Sequence, residues 1–194
     1  MNVYESEEEL IPLSKGGVRM DRVVSWLVRH ERRMFNFVNR RMQHRRLDLF
    51  FNGITHLGGA TAMIVIALSM AIFGRGSWKL AGLESCIALA VSHIPVAVIK
   101  KKYPRLRPYL VLPDTITYKN PLKDHSFPSG HTTAIFSVTV PLMLMSPWCV
   151  ALLLPIAILV GVSRMYLGLH YPSDCLAGSV IGTGAAFAAA AFIG

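Results

Sequence analysis

Long apolar runs separated by short polar breaks dominate the chain after residue 50. Ile54–Phe73, Leu80–Ile99, His131–Val150 and Cys175–Gly194 each approach the ~20 residues a helix needs to cross a ~30 Å hydrocarbon layer. Trp148–Ser163 is shorter and reaches that length by continuing through Arg164–Leu169. The pattern predicts an all-α, polytopic membrane helical bundle of five spanning helices, with spans three and four divided at Ser146–Pro147. Ahead of them, Asp21 to Arg46 carries Arg at 22, 29, 32, 33, 40, 41, 45 and 46. Val24, Leu27, Val28, Phe35, Val38 and Met42 recur between those arginines at roughly helical spacing. So many charges are prohibitive inside hydrocarbon, so the segment reads as an amphipathic basic helix along the interface. Asp21 is placed to cap its start. The expected organisation is a polar tail over 1–20, the interfacial helix over 21–46 and a membrane-embedded domain over 47–194.

Composition sharpens this. Of the 194 residues 53 % are hydrophobic and 16 % charged, against about a quarter charged in soluble domains. A formal net charge of +9 points to anionic lipid at the basic helix rather than to nucleic acid. The stretch "ESEEE" within the first twenty residues excludes a cleavable secretory leader there. Cys86, Cys149 and Cys175 fall in or beside apolar helices and read as small buried thiols, neither disulfide nor metal ligands. The small residues of "GTGAAFAAAA" suit close helix packing. His56, Glu84 and His93 sit inside expected spans, where interhelical hydrogen bonds account for them.

Threading five spans back and forth gathers the basic helix, the long Lys100–Phe127 loop and the Arg164–Asp174 connection on one membrane face. There, "DHSFPSGHTT" (124–133) packs polar groups against the start of an apolar run. Lys100, Arg107 and Arg164 supply three cations with no matching carboxylate cluster, an arrangement that an anion completes. Arginine's planar fork suits phosphate oxygens, and lysine adds a point charge. Ser129 and Gly130 open the helix after Pro128, and a helix start offers backbone N–H groups and a positive dipole end. His170 and Asp174 are four apart, so on a helical turn they share a face. A carboxylate on one ring nitrogen leaves the other as the nucleophile. His131, without such a carboxylate, is the acid for a leaving oxygen. The chemistry read from these residues is phosphoryl transfer to His170 followed by hydrolysis, with fixed cations and N–H groups stabilising the transition state.

These stretches resemble the signature of the type 2 phosphatidic acid phosphatases, the lipid phosphate phosphatase superfamily: K-x6-R-P, P-S-G-H and S-R-x5-H-x3-D. Its eleven positions are matched by Lys100, Arg107, Pro108, Pro128, Ser129, Gly130, His131, Ser163, Arg164, His170 and Asp174. The resemblance implies a six-helix-type core with its site at the membrane surface. It implies metal-independent hydrolysis through a phosphohistidine on His170, activated by Asp174, with His131 as acid. Lys100, Arg107, Ser129, Gly130 and Arg164 would hold the phosphate, with no cofactor. One departure is the count of five spans plus an interfacial helix, so that the family's first helix is either absent or represented by residues 21–46.

The substrate expected is a lipid phosphate, phosphatidylglycerophosphate or phosphatidic acid ahead of undecaprenyl diphosphate. Relatives in bacteria act on all three, and the signature does not separate them. Nine Arg and Lys15 precede residue 47, against Arg75 and Lys79 in the turn across the membrane. The positive-inside rule then puts the catalytic face in the cytoplasm. Vanadate-dependent haloperoxidases share a similar anion cage, but five spans argue for a lipid substrate. An anionic-lipid transporter or binding protein needs no His170–Asp174 pair.

Overall fold

A computed structural model describes residues 18–117 and 124–194; the first 17 residues of the expected 1–20 tail lie outside the described residues. Every regular element among them is helical: α1 (Val18–Asn36), a π-turn Phe37–Arg41, α2 (Arg45–Ile54), a 3₁₀ turn Thr55–Gly58, α3 (Ala60–Phe73), α4 (Ser77–Lys102), α5 (Pro108–Val111), α6 (Gly130–Met145), α7 (Pro147–Tyr166) and α8 (Pro172–Ile193).

Three of these, α4, α7 and α8, are each long and apolar enough to cross a membrane. A fourth crossing arises if the segment Arg45–Gly58 and α3, bent by 52° at their junction, count as one span. The expected first span, Ile54–Phe73, is therefore broken at Gly59, where the backbone turns extended. The expected third span also shortens. It ends at Met145, because Ser146 caps α7 and Pro147 occupies that helix's first position. At 16 residues α6 is a shorter apolar helix outside those three or four candidate crossings, and it lies inside the bundle. It packs against α3, α4, α7 and α8, and ten of its residues are buried. Lipid is met instead by Phe73, Ile94, Leu152, Leu176 and Val180, all more than half exposed on the surrounding helices.

Two devices hold α6 in the centre. Gly178 and Gly182 of α8 face it so closely that a Cβ would come within 2.6 Å of the Ser129 carbonyl oxygen and 2.5 Å of that of Thr133. Small residues buy this approach between helices, where lipid gives little hydrophobic drive to associate. Hydrogen bonds supply the rest: Ser85 donates to the Val138 carbonyl at 3.0 Å and Ser137 to the Ser92 hydroxyl at 2.9 Å. The interhelical bonds expected of His56 and His93 are not their role. His93 bonds the Leu89 carbonyl of its own helix at 2.8 Å, and His56 lies exposed on the 3₁₀ turn. Glu84 is buried beside the end of α8. The three cysteines are free thiols.

The basic segment departs most from expectation. The described helix covers Val18–Asn36, so Asp21 falls within it rather than before its first turn. It is also not one helix to Arg46: a π-turn and a bend at Met42–His44 divide it from α2. Val24, Trp26, Leu27 and Met34 are exposed, as an interfacial helix requires, but Phe35 and Asn39 are fully buried. Asn39 Nδ2 donates to the carbonyls of Ile116 and Tyr166 at 2.8 Å each, and its Oδ1 accepts from Ile116 N–H at 3.0 Å. That one side chain ties the segment to the long loop and to the end of α7. The tie explains Gly168 as well. It has φ +74° after α7, and a Cβ there would lie 2.6 Å from the Ile116 carbonyl oxygen; glycine meets both demands.

Candidate active site

Helix ends and the loops between them supply every candidate group. Lys100 is in the last turn of α4, Arg107 immediately precedes α5, and Arg164 is in the last turn of α7. Arg107 is 1 % exposed and Arg164 3 %, which for guanidinium groups demands polar partners. Arg107 Nε donates to the Asp124 carbonyl at 2.8 Å, Nη1 to the Leu169 carbonyl at 2.8 Å, and Nη2 to Asp124 Oδ1 at 2.6 Å. Arg164 Nη1 donates to Thr55 Oγ1 at 2.7 Å, while its buried Nε–H has no partner among the described residues. Lys100 Nζ donates to Asp124 Oδ2 at 2.5 Å and to the His125 carbonyl at 2.9 Å.

Asp124, the first residue of the polar stretch 124–133, thus bridges two of the three cations. Partial burial would raise its pKa, but hydrogen bonds from Lys100 and Arg107 hold it down at about 2. It therefore stays ionised at physiological pH. Its folded pKa is depressed, so the stabilisation it brings is complete above the ordinary carboxylate range and fades as pH falls towards 2.

The start of α6 has the expected form. Ser129 is fully buried at the N-cap, with Oγ accepting from Thr132 N–H at 3.4 Å and from Thr132 Oγ1 at 3.0 Å. A cap of this kind contributes about 1 kcal/mol. The N–H groups of Gly130 and His131 come before any intrahelical acceptor is available. A Cβ on Gly130 would meet no protein atom within 4 Å, so nothing in the packing requires glycine there. His131 lies in the electrostatic field of Arg164, His170 and Arg107.

His170 and Asp174 do meet, though not on a helical turn. His170 precedes Tyr171, the N-cap of α8, and Asp174 is the third residue of that helix. Asp174 Oδ2 accepts from Tyr171 N–H at 2.8 Å and lies 3.5 Å from His170 Nδ1. Arg107 Nη1 is 3.2 Å from His170 Nε2. A guanidinium can only donate, so the tautomer assigned has Nε2 unprotonated, and the buried Nδ1–H lies towards the carboxylate without a hydrogen bond among the described residues. Full burial, then the charges of Arg164, Arg107 and Lys100, push the His170 pKa well below its ordinary value. The imidazole is neutral, with its Nε2 lone pair directed at the buried Arg107, in the place a phosphoryl group would take. That is the state a nucleophile needs.

Sequence spacing alone did not single out four further groups. Asp124 opened the polar stretch but was not assigned a role. Arg105, between Lys100 and Arg107, bonds Asp174 Oδ1 at 2.7 Å and Glu31 Oε2 at 2.7 Å. Glu31 is the one acid between Arg22 and Arg46, which is the only signal it offered. Thr55, under Arg164, offered none.

Comparison with known proteins follows the same residues. The family model described as the PAP2 superfamily matches residues 81–194. An undecaprenyl-diphosphatase of Sulfolobus acidocaldarius is 33 % identical over 107 residues, 55 % of this chain and 52 % of that protein. Phosphatidylglycerophosphatase B of Bacillus subtilis is 31 % identical over 150 residues, 70 % of each chain. The crystal structure of Aquifex aeolicus LpxE matches with a TM-score of 0.74 at 26 % identity, covering 82 % of this chain and 93 % of that one. The match to the first of these relatives spans about half of its length.

Proposed function

The chain belongs to the PAP2 superfamily, and on that premise we propose that it is a membrane enzyme removing phosphate from a lipid phosphate. The observation that carries the reading is the contact of Arg107 with His170 Nε2 at 3.2 Å. It puts a buried cation and a neutral nucleophile where both reach one phosphoryl group. His170 Nε2 attacks phosphorus, and the bond from phosphorus to the lipid oxygen breaks. His131 donates a proton to that departing oxygen. Water then attacks the phosphohistidine, His131 takes a proton from it, and inorganic phosphate leaves with His170 restored. Asp174 holds the Nδ1–H tautomer and stabilises charge on the ring. Lys100, Arg107, Arg164, Ser129 and the N–H of Gly130 bind the equatorial oxygens, with phosphate competing against Asp124 for Lys100 and Arg107. The protein's own cations supply the electrostatic stabilisation, so chelators should leave turnover intact.

The site faces the cytoplasm in this proposal, because the arginine-rich segment packs on the same face. α1 and the π-turn rest on anionic lipid through Arg33, Arg40 and Arg41, which line an open cavity of about 730 Å³ with Asn36 and Phe37. A cytoplasmic site favours a phospholipid monoester such as phosphatidylglycerophosphate or phosphatidic acid. The second reading, undecaprenyl diphosphate, is favoured by the name of the Sulfolobus relative. Phosphate release from a panel of the three lipids, with purified protein in detergent, separates them. His170→Ala should lower turnover of the preferred lipid by at least about a thousandfold. Full turnover by His170→Ala would end the proposal.

A further inference from the structure

The buried carboxylate of Asp174 has two oxygens with different duties. Oδ2 serves Tyr171 N–H and faces His170. Oδ1 is held by Arg105 Nη1 at 2.7 Å. The same Arg105 nitrogen reaches Ser173 Oγ at 2.7 Å, and the guanidinium lies over the Tyr171 ring, 3.9 Å from its centroid. Its other end, Nη2, bonds Glu31 Oε2 at 2.7 Å. Glu31 Oε1 in turn accepts from the N–H of Ser173 at 3.2 Å and from its hydroxyl. The result is a closed ring of groups from α1, the long loop and the first turn of α8. Phe35 of α1, 5.8 Å from the Tyr171 ring, packs beneath it.

We propose that Arg105 and Glu31 are positioning residues for the phosphoryl-transfer step, setting the Asp174 carboxylate against His170 Nδ1. Three facts carry this. Asp174 is fully buried and Arg105 is the cation that meets it, and a buried carboxylate needs such a partner to stay ionised and fixed. Arg105 is planar and doubly anchored, so Glu31 decides where its fork points. Glu31 is itself only 14 % exposed, on a segment otherwise made basic by eight arginines. An isolated acid buried on that segment has its role inside the protein, not at the lipid surface. The amphipathic helix is then a wall of the catalytic machinery as well as a membrane contact. The inference rests on the proposed phosphohistidine route.

The test uses the full-length protein in detergent with the lipid that the panel identifies. Formation of phosphoenzyme is followed in a single turnover, alongside inhibition by inorganic phosphate and thermal stability. Arg105→Gln should slow phosphoenzyme formation roughly 10–100-fold, the usual range when the partner orienting a reactive group is lost. Inhibition by phosphate should change less than about threefold, because Lys100, Arg107 and Arg164 are untouched. Arg105→Lys should recover part of the rate. Glu31→Gln should slow the same step less, and the double variant should be no slower than Arg105→Gln alone, since the two act in series. Equal losses of rate, phosphate inhibition and stability would mark a purely structural role and overturn the inference. So would an unchanged rate in folded Glu31→Gln and Arg105→Gln. Should Arg105→Gln fail to fold, the comparison of Glu31→Gln with Glu31→Asp decides by the same split. If wild type turns over lipid and depends on His170, such results sink only this inference. If wild type hydrolyses no lipid phosphate, both it and the proposed function fall.

Discussion

At the scale of single residues, the site is a contest between anions for a few fixed cations. Asp124 sits between Lys100 and Arg107 with its pKa at about 2, so a phosphate must displace or share that carboxylate. Two features leave room for it: Arg164 Nε–H has no partner among the described residues, and a Cβ on Gly130 would meet no protein atom within 4 Å. The second gives a clean prediction. Gly130→Ala meets no packing obstacle and adds a good helix former at a helix start, so thermal stability should hold within about 0.5 kcal/mol. On the proposed route its methyl group would stand where the backbone N–H approaches a phosphoryl oxygen. Turnover should fall at least about tenfold, with weaker inhibition by inorganic phosphate. Undiminished turnover would remove Gly130 from the phosphate-binding set. Lys100, Arg107, Ser129 and Arg164 were open to proposal as phosphate ligands from residue type and spacing, because cation recognition of phosphate depends on charge and fork geometry. Asp124, Arg105 and Glu31 were not, since an acid or a base in a polar loop has no spacing that announces its partner.

At the scale of elements, α6 and α8 form the rigid part of the site. Ser129 N–H donates to the Asp174 carbonyl at 3.0 Å, joining the start of one helix to the first turn of the other. Gly178, one turn farther along α8, keeps the two at that distance. Gly178→Ala should therefore force them apart, lowering stability by about 1–3 kcal/mol and turnover with it. Gly184→Ala in the same helix meets nothing within 4 Å and should leave thermal melting in detergent unchanged. Equal behaviour of the two variants would contradict the packing account. The small residues of α8 were visible beforehand as a packing surface. Which glycine touches which carbonyl was not, because a helix whose neighbours are unknown has no preferred face in an apolar solvent. For the same reason the basic segment read as a single surface helix. Its arginines suggested an interface, while the buried Phe35 and Asn39 looked like ordinary members of an amphipathic pattern.

At the scale of the whole molecule, charge asymmetry and catalytic geometry fall on one side. The arginine-rich segment, the long loop and the α7–α8 connection are linked by Asn39 and by Glu31–Arg105–Asp174, so they share one membrane face. An impermeant thiol reagent applied to intact cells should label Arg75→Cys, in the exposed turn between α3 and α4, above the wild-type background. Arg33→Cys should stay unlabelled until the cells are opened. The reverse pattern would turn the catalytic face outward and favour the diphosphate substrate. By itself the sequence determined the membrane class, the helical content and the family, because long apolar stretches cross hydrocarbon as helices and the family's signature is a set of particular side chains in a particular order. Only the tertiary structure decided where the first span breaks, that α6 sits inside the bundle, and that Glu31 of α1 reaches Arg105 and the first turn of α8. Those outcomes depend on contacts between segments up to 142 residues apart, and no local pattern carries information about a neighbour that only folding supplies.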